Sequence, residues 1–594
     1  MEFGFFEVDT PICQNCANSF AVFPEDLEFY QRIKVPPPTF CPDCRMIRRF
    51  LWWNDWHLFR RRDEASGKEI FSGIPPQAPI KTYNRNYWWS DAWEPMAHGR
   101  DYDFSRPFFE QMHDLMQVVP WPSRDVVNIV NAEYCNDVAG AKNCYLCFNA
   151  GNVENSAYLN DAGETKNSFD IVDVGDSELC YECVGLDKCY RAFFSNFCEE
   201  CRDIWFCRDC SGCSNCFGCV NLRNKEYHIF NAPHSKEEYF KKLEELGLGS
   251  FSAVNGIKGR AEKFWIGFPV EWMHNWHNTD VSGELISTSK RAHVSYAALN
   301  AEAVKYSQFL LGVRDSHDTT VSFEGVELLY ETLICGEKSN SVKFSYNCWP
   351  ADSNLEYSMF CGSSSDLFGC IGLRKKQYCI LNKQYGREEY FGLREKIIRH
   401  MSEAPYVSQL PTPNSQLRTI TYRYGEFFPP EFSPFAYQDT VAHDFFPLSR
   451  EEACTRDSAV PPRETTINAD DLPDRIEDVS DSLVGDIIRC SSCGLPYRVI
   501  AMELAFYRKA PLPVPRLCPT CRLYARFKFR NPPRYGHRAC SCAGRQSDNR
   551  AYANIAEHFH GWDNHCPEEF DTSYAPDRPE IVYCQRCYNT EAVG

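Results

Sequence analysis

Eight cysteines fall into two sets of the same spacing. Cys13, Cys16, Cys41 and Cys44 lie near one end of the chain, Cys490, Cys493, Cys518 and Cys521 near the other. Each set is a CxxC pair, a 24-residue spacer and a second CxxC. Two thiolate pairs suit one tetrahedral zinc ion, because each pair can turn both sulfurs toward the same point, and a closed four-sulfur shell is structural. A lone CxxC could be a redox dithiol, but duplicated pairs at constant spacing argue for metal. Matching positions such as Tyr30/Tyr507, Pro36/Pro513, Arg45/Arg522 and Arg49/Arg526 mark the sets as copies of one module. A knuckle, a hairpin-length spacer and a CxxC opening a helix predict a treble-clef-like finger. Beyond the second finger, Cys540, Cys542, Cys584 and Cys587 predict a further zinc, with Cys566, His558, His560 and His565 between them offering a mixed shell. The N-terminal copy has Asn84 and Tyr87 where Cys584 and Cys587 stand, so the expected total is about three zinc ions per chain.

Basic residues follow each second CxxC: Arg45, Arg48 and Arg49 in one copy, Arg522, Arg526, Lys528 and Arg530 in the other. Beside aromatic residues such as Trp52, Trp53 and Phe529 they could neutralise phosphates and stack on unpaired bases of RNA. The alternative is pairing with the chain's own carboxylates. Asp and Glu number 81 against 63 Lys and Arg, a net charge of -18, which argues against wrapping the whole molecule in nucleic acid.

These modules must be carried by what lies between them. From residue 126 a short unit recurs, in NCYLCF, NSAYLN, NSFDIV and LCYECV. One column is small (Cys144, Ser156, Ser168, Cys180, Cys189, Cys201, Cys216) and another, three residues on, is apolar (Cys147, Leu159, Ile171, Cys183, Ala192, Ile204, Cys219). Short strands with like residues stacking from unit to unit predict a parallel β-solenoid, with two units, about 24 residues, to a coil. A second array ends on the same signature at an offset of 151, SGCSNCFGCVNLRNKEY against SSSDLFGCIGLRKKQY, and each runs into an amphipathic capping helix. Cys207, Cys210, Cys213, Cys216 and Cys219, each three apart, resemble an iron–sulfur ligand string. In the second array three of them become Ser358, Ser364 and Leu367, which favours packing over metal, with a thiol or metal redox protein as the alternative and disulfides as a third reading.

The fold class that follows is mainly β, two tandem solenoids between two fingers. The boundaries read as an N-terminal finger over 1–65, a Trp/Pro-rich bridge over 66–125 packed on the first coil, and solenoids over 126–232 and 265–382. Helical caps occupy 233–264 and 383–402, an extended acidic, Pro-rich linker 403–485, and a double zinc module 486–594. With 32 cysteines mostly paired as CxxC, no apolar run of membrane length and no signal-peptide pattern, the expected compartment is the cytoplasm, where thiols stay reduced and the chain does not insert in membranes.

CPxCR with its flanking arginines, YWWSD with DYDFSRPFFEQ, the LRxKxY endings, SPFAYQDTVAHDFFPLS and SYAPDRPEIVYC make nearly the whole chain resemble a family of large, cysteine-rich, zinc-finger (treble-clef-like) proteins of candidate-phyla bacteria. In that family a cysteine pair stands where Asn84 and Tyr87 lie here; the resemblance implies the architecture and brings no established activity. No phosphate loop, dinucleotide fingerprint, GxSxG or HExxH is present, and His274, His277 and Asp280 in WMHNWHNTD read as packed more readily than as catalytic. The expected function is a non-enzymatic zinc scaffold for a protein partner, with RNA or a ribonucleoprotein as a further ligand of the fingers. A redox protein and a β-helix polysaccharide-active enzyme are the alternatives.

Overall fold

The computed structural model describes residues 9–411, 417–448 and 464–592. Its centre is parallel β-structure whose partners lie 12 residues apart: Tyr145 pairs with Ala157, Ala157 with Phe169, and Phe169 with Tyr181. The coil is therefore 12 residues, half the length expected. Its cause is a left-handed residue at every third position, as at Asn143, Leu146, Asn149, Asn152 and Asn155. Each bend turns the chain and aims the next side chain inward, giving four triplets and four buried residues per coil: Cys144, Cys147, Ala150 and Val153 in one turn. Positive φ costs a branched residue about 1–2 kcal/mol, which Asn and Asp largely escape. Asn131, Asn143, Asn155 and Asn167 also stack as an amide ladder with links of 3.1, 3.0 and 3.4 Å.

Four three-residue sides enclose a narrow interior, filled by thiols, hydroxyls and single aliphatic side chains such as Leu159, Ile171 and Ile204. The five-cysteine string is five consecutive inward positions, all buried. Each thiol donates to the carbonyl two residues earlier, Cys207 to Trp205 O at 3.4 Å and Cys210 to Arg208 O at 3.3 Å. Ser156, Ser168 and Ser177 do the same with their hydroxyls, at 2.8, 2.8 and 2.6 Å. Burial pushes the Cys180 thiol up to about 12 and that of Cys207 well above its ordinary value, which keeps both as S–H donors. Packing is thus the structural role. The sequence columns also slip after Cys180: Tyr181 pairs with Phe193, which puts Ala192 and not Cys189 beside Cys180, while the Cys189 N–H donates to Ser177 Oγ at 3.0 Å.

The second solenoid runs from Asn275–Trp276 to Lys383–Gln384 and is wider in the middle. There the partner of Val313 is Val326 and that of Glu327 is Asn340, a 13-residue coil, before the 12-residue spacing returns at Ser353 and Ser365. Its interior is more aliphatic, with Leu310, Leu329, Leu355 and Leu367 in place of most of the thiols. Both solenoids end on the expected helices. Lys236–Glu245, opened by a Ser235–Glu238 capping box, packs Tyr239 on Tyr227, and Arg387–Glu403 packs Tyr390 on Tyr378.

The chain divides into two units with an alternating connection. One comprises residues 1–124, 273–456 and 532–535, the other 125–272, 457–531 and 536–594. The N-terminal finger therefore belongs with the second solenoid and the C-terminal finger with the first. The Trp/Pro-rich bridge follows the same rule and does not lie on the first coil: Trp88 and Trp121 meet Phe360, and Phe108 meets Phe368 of the second solenoid. Nor are the described parts of 403–485 an extended linker. Tyr406–Pro411 and Leu417–Tyr422 form a hairpin, Phe427, Phe428 and Phe432 are buried, and Leu472, Ile476, Val479 and Leu483 pack into the core around the C-terminal finger. Segments 412–416 and 449–463 of that expected linker lie outside the described residues.

The coil geometry predicts which substitutions the interior accepts. Cys189→Ser should lose no more than about 1.5 kcal/mol in urea unfolding, because serine makes the same back-bond one coil away at Ser177. Cys189→Phe should abolish the folded first solenoid, seen as loss of its β-structure signal in circular dichroism.

Candidate metal centres

In each finger the first CxxC sits in a tight turn and the second opens a helix, Pro42–Phe50 or Pro519–Phe527, with Cys41 or Cys518 as the residue preceding it. The spacer closes an antiparallel pairing around the first knuckle, Ile12 with Ser19 or Ile488 with Tyr497, and then folds as a helix, Pro24–Ile33 or Ala501–Lys509. Tetrahedral metal–sulfur bonds of about 2.3 Å give sulfur–sulfur edges of about 3.8 Å. Cys16 and Cys41 Sγ are 3.7 Å apart, Cys493 and Cys518 Sγ 3.6 Å, and all four ligand atoms of each finger lie within 4.8 Å of one another. Backbone N–H groups already aim at the sulfurs: Cys41 N donates to Cys13 Sγ and Cys518 N to Cys490 Sγ, both at 3.2 Å. Burial raises the Cys490 thiol, but the N–H donors of Cys493 and Cys518 outweigh it and bring it down to about 7. Both fingers can hold a metal ion.

The helix that follows docks on a solenoid. Arg45 Nε is 2.9 Å and Arg49 Nη1 3.3 Å from Asp318 Oδ1, with all three side chains at most 1% exposed. In the other unit Arg522 Nη1 is 2.6 Å from Asp170 Oδ2 and Arg526 Nη1 2.9 Å from Asp170 Oδ1. The two locks use matching residues, with a different choice of nitrogen and oxygen atoms. Tyr306 donates to Asp26 and Tyr158 to Glu503, each acceptor being the third residue of the spacer helix. Arg45 lies over Tyr306 and Arg522 over Tyr158. Arg48 pairs with Glu331 and Glu426, and Arg530 with Asp161 and Asp173. Of the seven cations read as nucleic-acid contacts, Arg45, Arg48, Arg49, Arg522, Arg526 and Arg530 are therefore buried against the chain's own carboxylates, and Lys528 alone is exposed. Trp52 and Trp53 are core residues.

The third set is regrouped by the structure. Cys540, Cys584 and Cys587 come together with Cys566, while Cys542 joins His558, His560 and, again, Cys587. Cys566 and Cys584 Sγ are 3.8 Å apart. In the mixed group Cys542 Sγ lies 3.4 Å from His558 Nδ1 and Cys587 Sγ 3.5 Å from His560 Nε2, against a sulfur–nitrogen edge of about 3.6 Å for tetrahedral metal. The sequence offered these histidines without saying which would serve, because loop 540–584 brings them in by tertiary folding. His565 is turned away, bonded to Asp548 and to Cys566 O.

The N-terminal copy shows what replaces this centre. Asp63 follows strand Phe59–Arg62 as Cys540 follows Gly536–Ala539, and its carboxylate accepts the Asn84 N–H at 3.0 Å, as Cys540 Sγ accepts that of Cys584 at 3.2 Å. Asp63 also accepts from the N–H groups of Ala65 and Ser66, so hydrogen bonds stand in for ligation. Among the described residues, the two finger sets and the two sets sharing Cys587 are the groups that could hold metal; the solenoid thiols form none. His274 is buried and bonded to Glu284 at 2.6 Å, the packed arrangement. No described helix is long and apolar enough to cross a membrane. No protein-family model matches the chain, and no curated protein matches it in sequence.

Removing one partner of a buried ion cluster leaves the others uncompensated, at a cost of about 3–5 kcal/mol. Asp318→Ala and Asp170→Ala should each destabilise their own unit by that amount in urea unfolding, while exposed Lys528→Ala stays within about 0.5 kcal/mol. In the finger, Cys518→Ala should remove one metal ion per chain and bring the same unit down with it, read by elemental analysis and thermal melting.

Proposed function

We propose that the chain is a non-enzymatic, zinc-dependent scaffold of two finger-on-solenoid units, whose first solenoid presents carboxylates to a basic protein partner. The observation that carries this reading is the burial of both finger helices in their solenoids. The fingers work as staples, and their cations serve the fold. Thiolate and imidazole donors on tetrahedral edges favour zinc among the common divalent ions, and four protein ligands per ion leave no position for substrate, the arrangement of a structural site. The arginines expected to touch RNA are instead engaged by the chain's own carboxylates, Asp318 and Asp170 foremost. What the first solenoid offers outward along one line of left-handed corners is three carboxylates, Glu164, Asp176 and Glu200, with Lys188 between the last two and paired with Asp187 at 3.2 Å. With a coil rise of about 4.8 Å, Glu164 and Asp176 are neighbours and Glu200 lies two coils further on, a spacing that suits the alternate side chains of an extended basic segment.

The test is fluorescence anisotropy with an arginine/lysine-rich peptide and with single-stranded RNA. The peptide should bind, weaken as salt rises from 50 to 200 mM, and lose about tenfold when Glu164, Asp176 and Glu200 are changed to Lys. RNA should not bind. Tight RNA binding, or a triple variant with unchanged peptide affinity, would contradict the proposal.

A further inference from the structure

The C-terminal module presents seven donor side chains, five thiols and two imidazoles, in two groups that share Cys587. Two tetrahedral ions have eight positions, and seven donors fill them only if one donor serves twice. Cys587 is placed to do so, with all of its partners in both groups inside 4.8 Å. We propose that this module holds a dinuclear zinc-type centre, one divalent ion in Cys540, Cys566, Cys584 and Cys587 and a second in Cys542, His558, His560 and Cys587, bridged by the Cys587 thiolate. The inference rests on the reading of the fingers as metal sites.

Independent support comes from the hydrogen bonds behind the histidines. A ligating imidazole donates its other ring N–H to a carboxylate or carbonyl, which fixes the free nitrogen on the metal. His558 Nε2 is 2.8 Å from Glu591 Oε1 in a buried pair, which turns Nδ1 toward Cys542. Glu591 is held as an acceptor by Tyr552 Oη at 2.9 Å and by the Ile555 N–H. His560 is arranged the other way round, its Nδ1 2.8 Å from Asn564 O and its Nε2 facing Cys587. Opposite tautomers are thus enforced in two neighbouring histidines so that both lone pairs meet the same group of sulfurs. Asn554 adds an N–H donor to Cys542 Sγ at 3.2 Å, as expected for a thiolate. Charge points the same way. A four-thiolate site with one divalent ion carries a net charge of about -2, whereas five thiolates with two ions reduce it to about -1 inside a buried module.

The experiment is metal analysis and electron paramagnetic resonance of the full chain, purified without oxygen and loaded with zinc or cobalt(II). The wild type should hold four ions, two in the fingers and two here; His558→Ala/His560→Ala should hold three. Loaded with cobalt, the bridged pair should couple magnetically, so that the wild type with four ions gives less integrated signal than the double variant with three. Three ions in the wild type, or four with the full uncoupled signal, would overturn the bridged centre while leaving the fingers intact. No bound metal at all would overturn both readings. Because the cobalt measurement on the wild type stands alone, a misfolded variant cannot rescue the proposal.

Discussion

A buried guanidinium pair closing on one buried aspartate, built twice, is the interaction on which the structure depends. Asp318 receives Arg45 and Arg49, and Asp170 receives Arg522 and Arg526, from helices that begin at a CxxC pair. Such clusters are costly to desolvate and contribute little net stability over a well-packed apolar contact. What they supply is position. An arginine one turn off register would be left buried and unpaired, so the lock admits one seating of the finger on the coil. Metal held at the start of the helix would fix the helix, the helix presents two arginines, and the arginines choose the coil.

The solenoid imposes its own constraint on that seating. A coil of four triplets has room inside for thiols, hydroxyls and aliphatic side chains up to Leu159 and Ile171, and its large aromatic residues face outward. The column Tyr145, Phe169, Tyr181, Phe193, Trp205 and Phe217 does so and is covered by the C-terminal finger and nearby helices. Apolar contact on the outside of the coils thus adds to that of the interior. This makes each unit depend on its finger, since an uncovered aromatic face would be an exposed apolar surface of the kind monomeric proteins avoid.

Much of this was legible in the sequence, for identifiable reasons. Metal ligation demands fixed residue types at fixed spacing, so the finger sets stood out, as did stacking repeats and the helices that close them. Three things were hidden. The coil length was obscured because inward residues recur every three positions, and a period of three cannot distinguish 12 from 24 or hold its column past Cys180. The finger–solenoid pairing was hidden because it joins residues such as Arg522 and Asp170, 352 apart. In retrospect the duplication held a clue, since Asp170 and Asp318 occupy matching corners, yet a buried aspartate on an acidic chain carries no mark. The grouping of the last module was hidden because Cys540 and Cys542, two residues apart, read as ligands of one ion, while in the structure their sulfurs belong to different groups.

Hydrogen exchange tests most directly the claim that metal in a finger holds a distant solenoid in place. With metal bound, amides of the strands beneath the locks, Phe169–Gly175 and Val313–Ser322, should be among the slowest to exchange. Stripping the metal should release both segments to near-loop rates along with the finger helices. If the finger helices lose protection while those two strands keep theirs unchanged, the solenoids stand without their staples and the account is wrong.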